Sequence, residues 1–540
     1  MNTSYDGIIL GTGHNSLILQ GYLSRCGLRT LSVDCADVPG GGLSTIENPR
    51  VPGARHNPHS FYHRAIDRMP WYRDLELEAK GVRYLEPDLN VAMILKDGRS
   101  LQWWTNLEAT RASFAEFSPK DADALVRWTE EFRPIVENIL LPEAQCPPLE
   151  PRKRTELLQQ SKLGRRLLEV SALSPLEFVT QHFEHDAIRA GLLFFNGLRE
   201  VDLRLQGFGH AIPALLASPA KAQMCVGGSA ALARGLVEDI EANGGVVRCG
   251  VTISRIIMRH GRAAGIELEG GETIEASGFV ASGLNPQQTF LQLLPESDTS
   301  AKLRERAGGF RYNLLAPLFG LHLALKEPPA YAAAERDPGL RDAFMVILGL
   351  DRFEQFHEIV SAHERGEIPN AVSWGSCPTH FDPSQGQDGI HTAFMWEKLP
   401  YNLRGDAQNW KTHRDAHGAA LLNAWRRHAP NLNDATILDR FALSPADTEQ
   451  TLPNMFQGDL LVGSFANDQV GHNRPFPGAG TYRTPVPGLY LCGGSTHPGG
   501  NITGLCGYNA ASVIAADAGV PQWWDSPDVE GALGGIADAK

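Results

Sequence analysis

The run Gly7-Ile8-Ile9-Leu10-Gly11-Thr12-Gly13-His14-Asn15-Ser16, continued by Leu17 to Cys26, Gly27 and Leu28 to Val33-Asp34, decides the fold. Its apolar start predicts a short buried strand, the two glycines a tight turn, Leu17 to Cys26 a helix stopped by Gly27, and Leu28 to Val33 a second strand. Glycine is needed at 11 and 13 so that the backbone can turn and approach a pyrophosphate, whose charge would sit at the N-terminus of the following helix. The third position of that pattern asks only for a small residue, here Ser16. Asp34 stands 23 residues after Gly11, at the end of the second strand, where a carboxylate accepts ribose hydroxyls and disfavours a 2′-phosphate. Strand, turn, helix and spaced acid together predict a dinucleotide-binding α/β unit.

Two more glycine clusters extend this reading. Gly40-Gly41-Gly42-Leu43-Ser44-Thr45 opens a Gly/Pro-rich stretch from Pro39 to Pro58, too long for an idle turn. A backbone bare of side chains there can pass against a phosphate or a flavin, or can serve as a flexible connector. Near the other end, Leu489 to Cys492 predicts a strand running into Gly493-Gly494 and, through Asn501-Ile502, into a closing helix over Thr503 to Ala518. A helix N-terminus at that place makes a second site for negative charge.

The remaining chain sets bounds. With 49 Lys+Arg against 62 Asp+Glu in 540 residues the formal charge is −13, which argues against a nucleic-acid partner. Leu314 to Leu325, the longest oily stretch, is interrupted by Pro317, Gly320 and His322, so no membrane-spanning helix is expected. The N-terminus leaves no room for a signal peptide, and a cytoplasmic protein is the expectation. Eight cysteines are scattered without a CxxC or zinc spacing and read as reduced thiols. Helical spacing marks Ser118 to Leu140 and Ala416 to His428. Strands are expected at Val246 to Arg248, Val251 to Met258, Ala264 to Leu268 and Thr273 to Val280. A basic amphipathic segment over 150–170 reads as a solvated helix face or as a peripheral membrane or partner contact.

The motifs Gly-x-Gly-His-Asn-x-Leu at 11–17, Gly227-Gly228-Ser229-x-Ala231-Leu232, Tyr482-Arg483-Thr484-Pro485 and Cys492-Gly493 with His497-Pro498-Gly499-Gly500 together resemble one family. It is the FAD-dependent branch that contains the bacterial phytoene desaturases, and within it the group of pyridine nucleotide-disulfide oxidoreductase domain-containing protein 2. Shorter echoes such as Ser118-Pro119-Lys120-Asp121, Phe381-Asp382-Pro383-Ser384 and Asp468-Gln469 support the narrower group. The resemblance runs from residue 7 to 518.

The resemblance implies an α/β fold in which a Rossmann-type FAD domain of the glutathione-reductase-like, amine-oxidase type (1–75, 225–290, 455–520) is interleaved with an α+β substrate domain (76–224, 291–454), followed by a tail (521–540). It implies FAD bound at Gly11, Gly13, His14, Asn15 and Asp34, with Gly41, Gly42, Ser44, Gly493, Gly494, Asn501 and Ile502 closing around it and Val251 on the adenine side. Without a CxxC, disulfide exchange is rejected. Cys506 reads as a packed thiol or a covalent flavin attachment.

Arg55-His56-Asn57-Pro58-His59-Ser60-Phe61-Tyr62-His63 is the most unusual segment. By family topology it passes the flavin, so His59 and His56, with His497 third, are candidate proton acceptors; satisfying loop carbonyls is the alternative. Trp103-Trp104 and Trp396 read as walls of an aromatic pocket or as core. The expected reaction is dehydrogenation of a C–C bond in an apolar or aromatic small molecule, with oxygen or a quinone among the open electron acceptors. Alcohol or amine oxidation, flavin-dependent isomerisation, and FAD binding without turnover stand as alternatives.

Overall fold

The opening unit folds as a strand Ser4–Leu10, a helix His14–Arg25 and a strand Thr30–Val33 in a computed structural model that describes residues 4–196, 202–219, 221–387 and 389–538. The helix begins immediately after Gly13, three residues earlier than its apolar pattern indicates, because His14, Asn15 and Ser16 form its first turn. Five parallel strands build the centre of the first sheet, in the order Val246–Arg248, Thr30–Val33, Ser4–Leu10, Thr273–Ser282 and Leu489–Leu491. Two antiparallel strands, Arg262–Leu268 and Ile253–Arg259, complete it through the turn at His260-Gly261. Strands buried on both faces read as continuous apolar runs, as Ile8-Ile9-Leu10 does, whereas in the neighbouring strand Leu31 and Val33 flank an equally buried Ser32.

The helix His14–Arg25 packs on the closing helix Leu505–Ala518, both buried along most of their length. Their contact depends on a missing side chain: a Cβ on Gly507 would lie 1.9 Å from the Asn15 carbonyl oxygen. Gly507→Ala is therefore expected to push the two helices apart and to cost about 1–3 kcal/mol or more, the usual scale for overpacking. Thermal unfolding measures this loss, and an unchanged midpoint would mean that the helices are not in contact there.

A second, seven-stranded sheet runs in the order Ile437–Leu443, Leu318–Leu325, His391–Lys398, Ser373–Ser376, Met345–Leu348, Leu89–Ile94 and Ser100–Trp104. It is antiparallel except where Met345–Leu348 lies parallel to Leu89–Ile94. In Leu318–Leu325 the alternation is informative: Phe319, Leu321, Leu323 and Leu325 join one core, whereas Gly320 and His322 share the other face with Trp396 and Phe394.

Helices from 107–196 cover one side of this sheet. The segment expected to be helical to Leu140 is α-helical over Pro119–Ile135 and continues as a π-turn over Val136–Leu140, next to Pro134, which supplies no N–H. The basic stretch forms two helices, Pro151–Gln159 and Lys162–Ser171, separated where Ser161 caps the second by accepting from Gly164 N at 2.9 Å. Four of its cations are ion-paired: Arg152 with Glu156, Lys153 with Glu530, Arg154 with Glu143 and Arg166 with Glu131. Among the described residues no helix is long and apolar enough to cross a membrane.

Candidate FAD site and the aromatic wall beside it

A cavity of about 330 Å³ opens at the C-terminal ends of the parallel strands, where α/β sheets bind their ligands. At one end it is lined by Asp34, Thr252, Ile253 and Gln288, in the middle by Gly11, Gly13, His14 and Asn15, and at the other end by Gly41, Gly42, Gly493, Gly494, Asn501 and Ile502. Val251 and Ser44 are not among the lining residues. Val251 N donates to the Asp34 carbonyl at 3.0 Å, which presents its neighbours Thr252 and Ile253 instead. The Ser44 hydroxyl is buried without a hydrogen-bond partner.

Asp34 is fixed by the turn it serves. Its Oδ2 accepts from Thr12 N at 2.7 Å and Thr12 Oγ1 at 2.8 Å, and its Oδ1 accepts from Ala36 N at 3.0 Å. A carboxylate offers about four acceptor sites, so one is left for a ribose hydroxyl. The residue between the two glycines, an unmarked position in the sequence pattern, thus holds the acid in place.

The residues present fit FAD. Gly13 lines the cavity, and a Cβ built on it meets no atom within 4 Å, so the space beside the turn is open; a Cβ on Gly41 would press to 3.3 Å from Gly13 Cα. The helix His14–Arg25 has no acidic residue in its first turn, and neither has Leu505–Ala518, so their positive ends are available to phosphate and to an electron-rich ring edge.

The loops at the far end are tied from behind. Arg474, fully buried, donates to the carbonyls of Ser464 (2.9 Å), Gly494 (2.9 Å) and Thr496 (3.2 Å), joining the two chain segments that flank Gly494. Burial lowers its pKa to about 10. His14 Nε2 donates to the Asn501 carbonyl at 3.0 Å, and burial lowers the His14 pKa to about 4. Cys506 Sγ points at the Gly499 and Thr496 carbonyls (3.3 and 3.6 Å), with its pKa raised by burial.

The histidine segment leads from this cavity to the second sheet. Asn57 binds both sides: Thr45 Oγ1 donates to Asn57 Oδ1 (2.8 Å), and Asn57 Nδ2 donates to Gln385 Oε1 (2.7 Å). His56 packs edge-on against Phe441 and His322 (5.1 and 5.7 Å between ring centres), and His322 stacks on Phe441 at 5.0 Å and 9°. Phe61 and Tyr62 close on Phe394, and Tyr62 also on Trp396. The rings of His56, His59 and His322 are held neutral. Burial lowers the pKa of His56 and of His59 to about 4, and that of His322 well below its ordinary value.

What these imidazoles lack is partners. Neither ring nitrogen of His322 nor Nε2 of His56 has a hydrogen-bond partner, although the residues are 1% and 2% exposed. His59 makes no hydrogen bond among the described residues. Asp439, the carboxylate whose charge acts on His56, is occupied by Arg50 (2.7 Å) and Asn48 (2.9 Å). By contrast, His63 is bonded at both nitrogens, to Ser60 Oγ and Tyr84 Oη, and His497 Nε2 donates to the Glu143 carbonyl at 2.8 Å. The sequence pattern brought out His56 and His59 but not His322. Its signal was the Gly-x-His-x-Ala alternation within Leu318–Leu325.

No protein-family model matches the sequence. Among characterised proteins, the chain is 29% identical over 538 residues to a component of the limonene dehydrogenase of Castellaniella defragrans, covering 97% of this chain and 96% of that protein. It is 26% identical to rat pyridine nucleotide-disulfide oxidoreductase domain-containing protein 2 (96% and 94% covered) and 22% identical to a lycopene-forming phytoene desaturase of Paracoccus (93% and 95%). Among solved structures, a triple variant of putrescine oxidase superposes with a TM-score of 0.59 at 14% identity (95% and 99% covered). Cyclohexylamine oxidase of Brevibacterium oxydans superposes with 0.57 at 15% identity (95% and 99% covered). These likenesses establish the amine-oxidase type of fold.

Proposed function

We propose that this FAD-dependent oxidoreductase, a homologue of the phytoene desaturases and of pyridine nucleotide-disulfide oxidoreductase domain-containing protein 2, dehydrogenates a carbon–carbon bond of an apolar small molecule. One observation supports the reading most: neutral imidazoles, His56 and His322, with ring nitrogens that lack hydrogen-bond partners, packed among aromatic rings on and against the segment that follows Gly41-Gly42 of the FAD cavity. A buried polar atom left unpaired costs about 1–3 kcal/mol, a cost that makes sense where the atom must receive a proton. Among the described residues the same wall offers an ammonium group no free carboxylate, which favours a hydrocarbon body over a protonated amine. The name of the limonene dehydrogenase relative points to the same substrate class.

FAD, when bound, supplies the hydride acceptor. The chain's own residues do the rest. Phe394, Trp396, Phe441, Phe61 and Tyr62 hold an apolar body and exclude water, and His56 Nε2 or the His59 ring accepts the proton that leaves the neighbouring carbon.

Rapid mixing under anaerobic conditions tests the assignment. His59→Ala and His56→Ala are each expected to slow substrate-driven bleaching of the flavin, the residue that takes the proton by about 100-fold, with FAD content unchanged. Unaltered rates in both variants would return these residues to a packing role.

A further inference from the structure

A second cavity of about 280 Å³ lies away from the FAD site and shares none of its lining residues. It sits between the helix Pro119–Ile135, the end of the strand Ser100–Trp104, residues 215–219 and Lys221. Part of its wall is apolar, with Trp103, Leu125 and Leu216 all buried in the large core. Three cationic side chains nevertheless line it: Arg64 and Lys221, both half-buried, and Arg133, exposed at the rim.

Two of these charges have no carboxylate in ion-pair contact among the described residues. Neither Arg133 nor Lys221 forms an ion pair among the described residues, and the Lys221 ammonium donates only to the Ser218 carbonyl at 3.1 Å. Glu86, whose charge acts on Lys221, accepts instead from Lys221 N and Gln223 Nε2. Burial and the two arginines depress the Lys221 pKa to about 8, so the ammonium still predominates at neutral pH. Thr129, 4% exposed, lines the same cavity with an unpartnered hydroxyl. Buried charges in folded proteins are normally paired, and Lys, Arg and a hydroxyl converging on an apolar hollow form the complement of an amphipathic anion.

We propose that this second cavity binds an anion with an apolar body, a carboxylate or phosphate monoester whose head pairs with Lys221 and Arg133 while its hydrocarbon lies on Trp103, Leu125 and Leu216.

Calorimetric titration of the FAD-loaded enzyme with decanoate, decyl phosphate, decanol and inorganic phosphate tests it. Decanoate or decyl phosphate is expected to bind, and which one binds identifies the head group; decanol should bind at least about tenfold more weakly, the scale of a lost charge-assisted hydrogen bond, and inorganic phosphate at least about tenfold more weakly for want of the buried hydrocarbon. Lys221→Gln should weaken the anion about tenfold or more while leaving the flavin spectrum unchanged. Should that variant fail to fold, Arg133→Gln at the exposed rim gives the same comparison. No binding by either amphipathic anion, decanol or inorganic phosphate binding as tightly as they do, or an unchanged affinity in the folded variant would overturn the assignment.

Discussion

Asp34→Ala is expected to release FAD. The carboxylate joins both ends of the nucleotide turn: through Oδ2 it holds Thr12 between the two glycines, and through Oδ1 it holds Ala36 beyond the strand. Removing it leaves two backbone N–H groups and a hydroxyl without their acceptor and removes the site left for a ribose hydroxyl. Hydrogen bonds to a charged group contribute about 1.5–3 kcal/mol each, so even one such loss corresponds to a roughly tenfold to hundredfold weaker complex. Asp34→Asn separates shape from charge. It fills the same space, but its amide NH2 must face either the Thr12 or the Ala36 donor, so an affinity between those of the parent and the alanine variant is expected. Flavin absorbance per chain after desalting, with fluorescence titration of the stripped protein, measures both; full retention in the alanine variant would place the ribose elsewhere.

Acid is expected to unfold this protein early, by a route that does not need carboxylates. His14, His56, His59, His210, His363 and His497 have their pKa lowered by burial to about 4, and His63 to about 3. In the unfolded chain the same rings titrate near 6.5. Between these values the unfolded state binds more protons than the folded state, so stability falls as pH drops from about 6.5 towards 4 and is fully present above 6.5. Each ring can contribute a slope of up to about 1.4 kcal/mol per pH unit in that window, and a few acting together rival the whole stability of a domain. The midpoint of thermal unfolding should therefore fall steeply between pH 6.5 and 5, before most carboxylates titrate. His322→Phe, which keeps the stack on Phe441 and removes a buried imidazole, should reduce that slope. A midpoint constant from pH 7 to 5 would show that these rings are protonated without cost in the fold.

The nucleotide turn was legible because its physics demands particular residue types: glycine at 11 and 13, a small residue at 16 and an acid at 34 can be read without neighbours. Thr12 could not be read as the partner of Asp34, since the pattern leaves its position open and the contact exists only once the turn has formed. Nor could the segment Thr451 to Met455, which lines the cavity although its sequence has no periodicity and stands far along the chain from the lining positions of the central strands. The aromatic wall shows the same limit. His56, Phe61 and Tyr62 are adjacent in sequence, but what they meet comes from three different strands of the second sheet, and His322, Phe394 and Phe441 become neighbours only through strand register. The basic segment at 150–170 reads as strongly cationic in sequence, whereas four of its side chains find carboxylates, those of Lys153 and Arg166 on helices distant in sequence.

The most direct measurement is an anaerobic titration of the purified, FAD-loaded enzyme, followed in the visible flavin bands, with cyclic terpene hydrocarbons, polyenes, aromatic alcohols and primary amines in parallel. Bleaching by a hydrocarbon or polyene, with a new carbon–carbon double bond in the recovered product and no bleaching by amines, is the expected result. A protein that takes up no FAD on reconstitution, or a bound flavin that only amines or alcohols bleach, would contradict it.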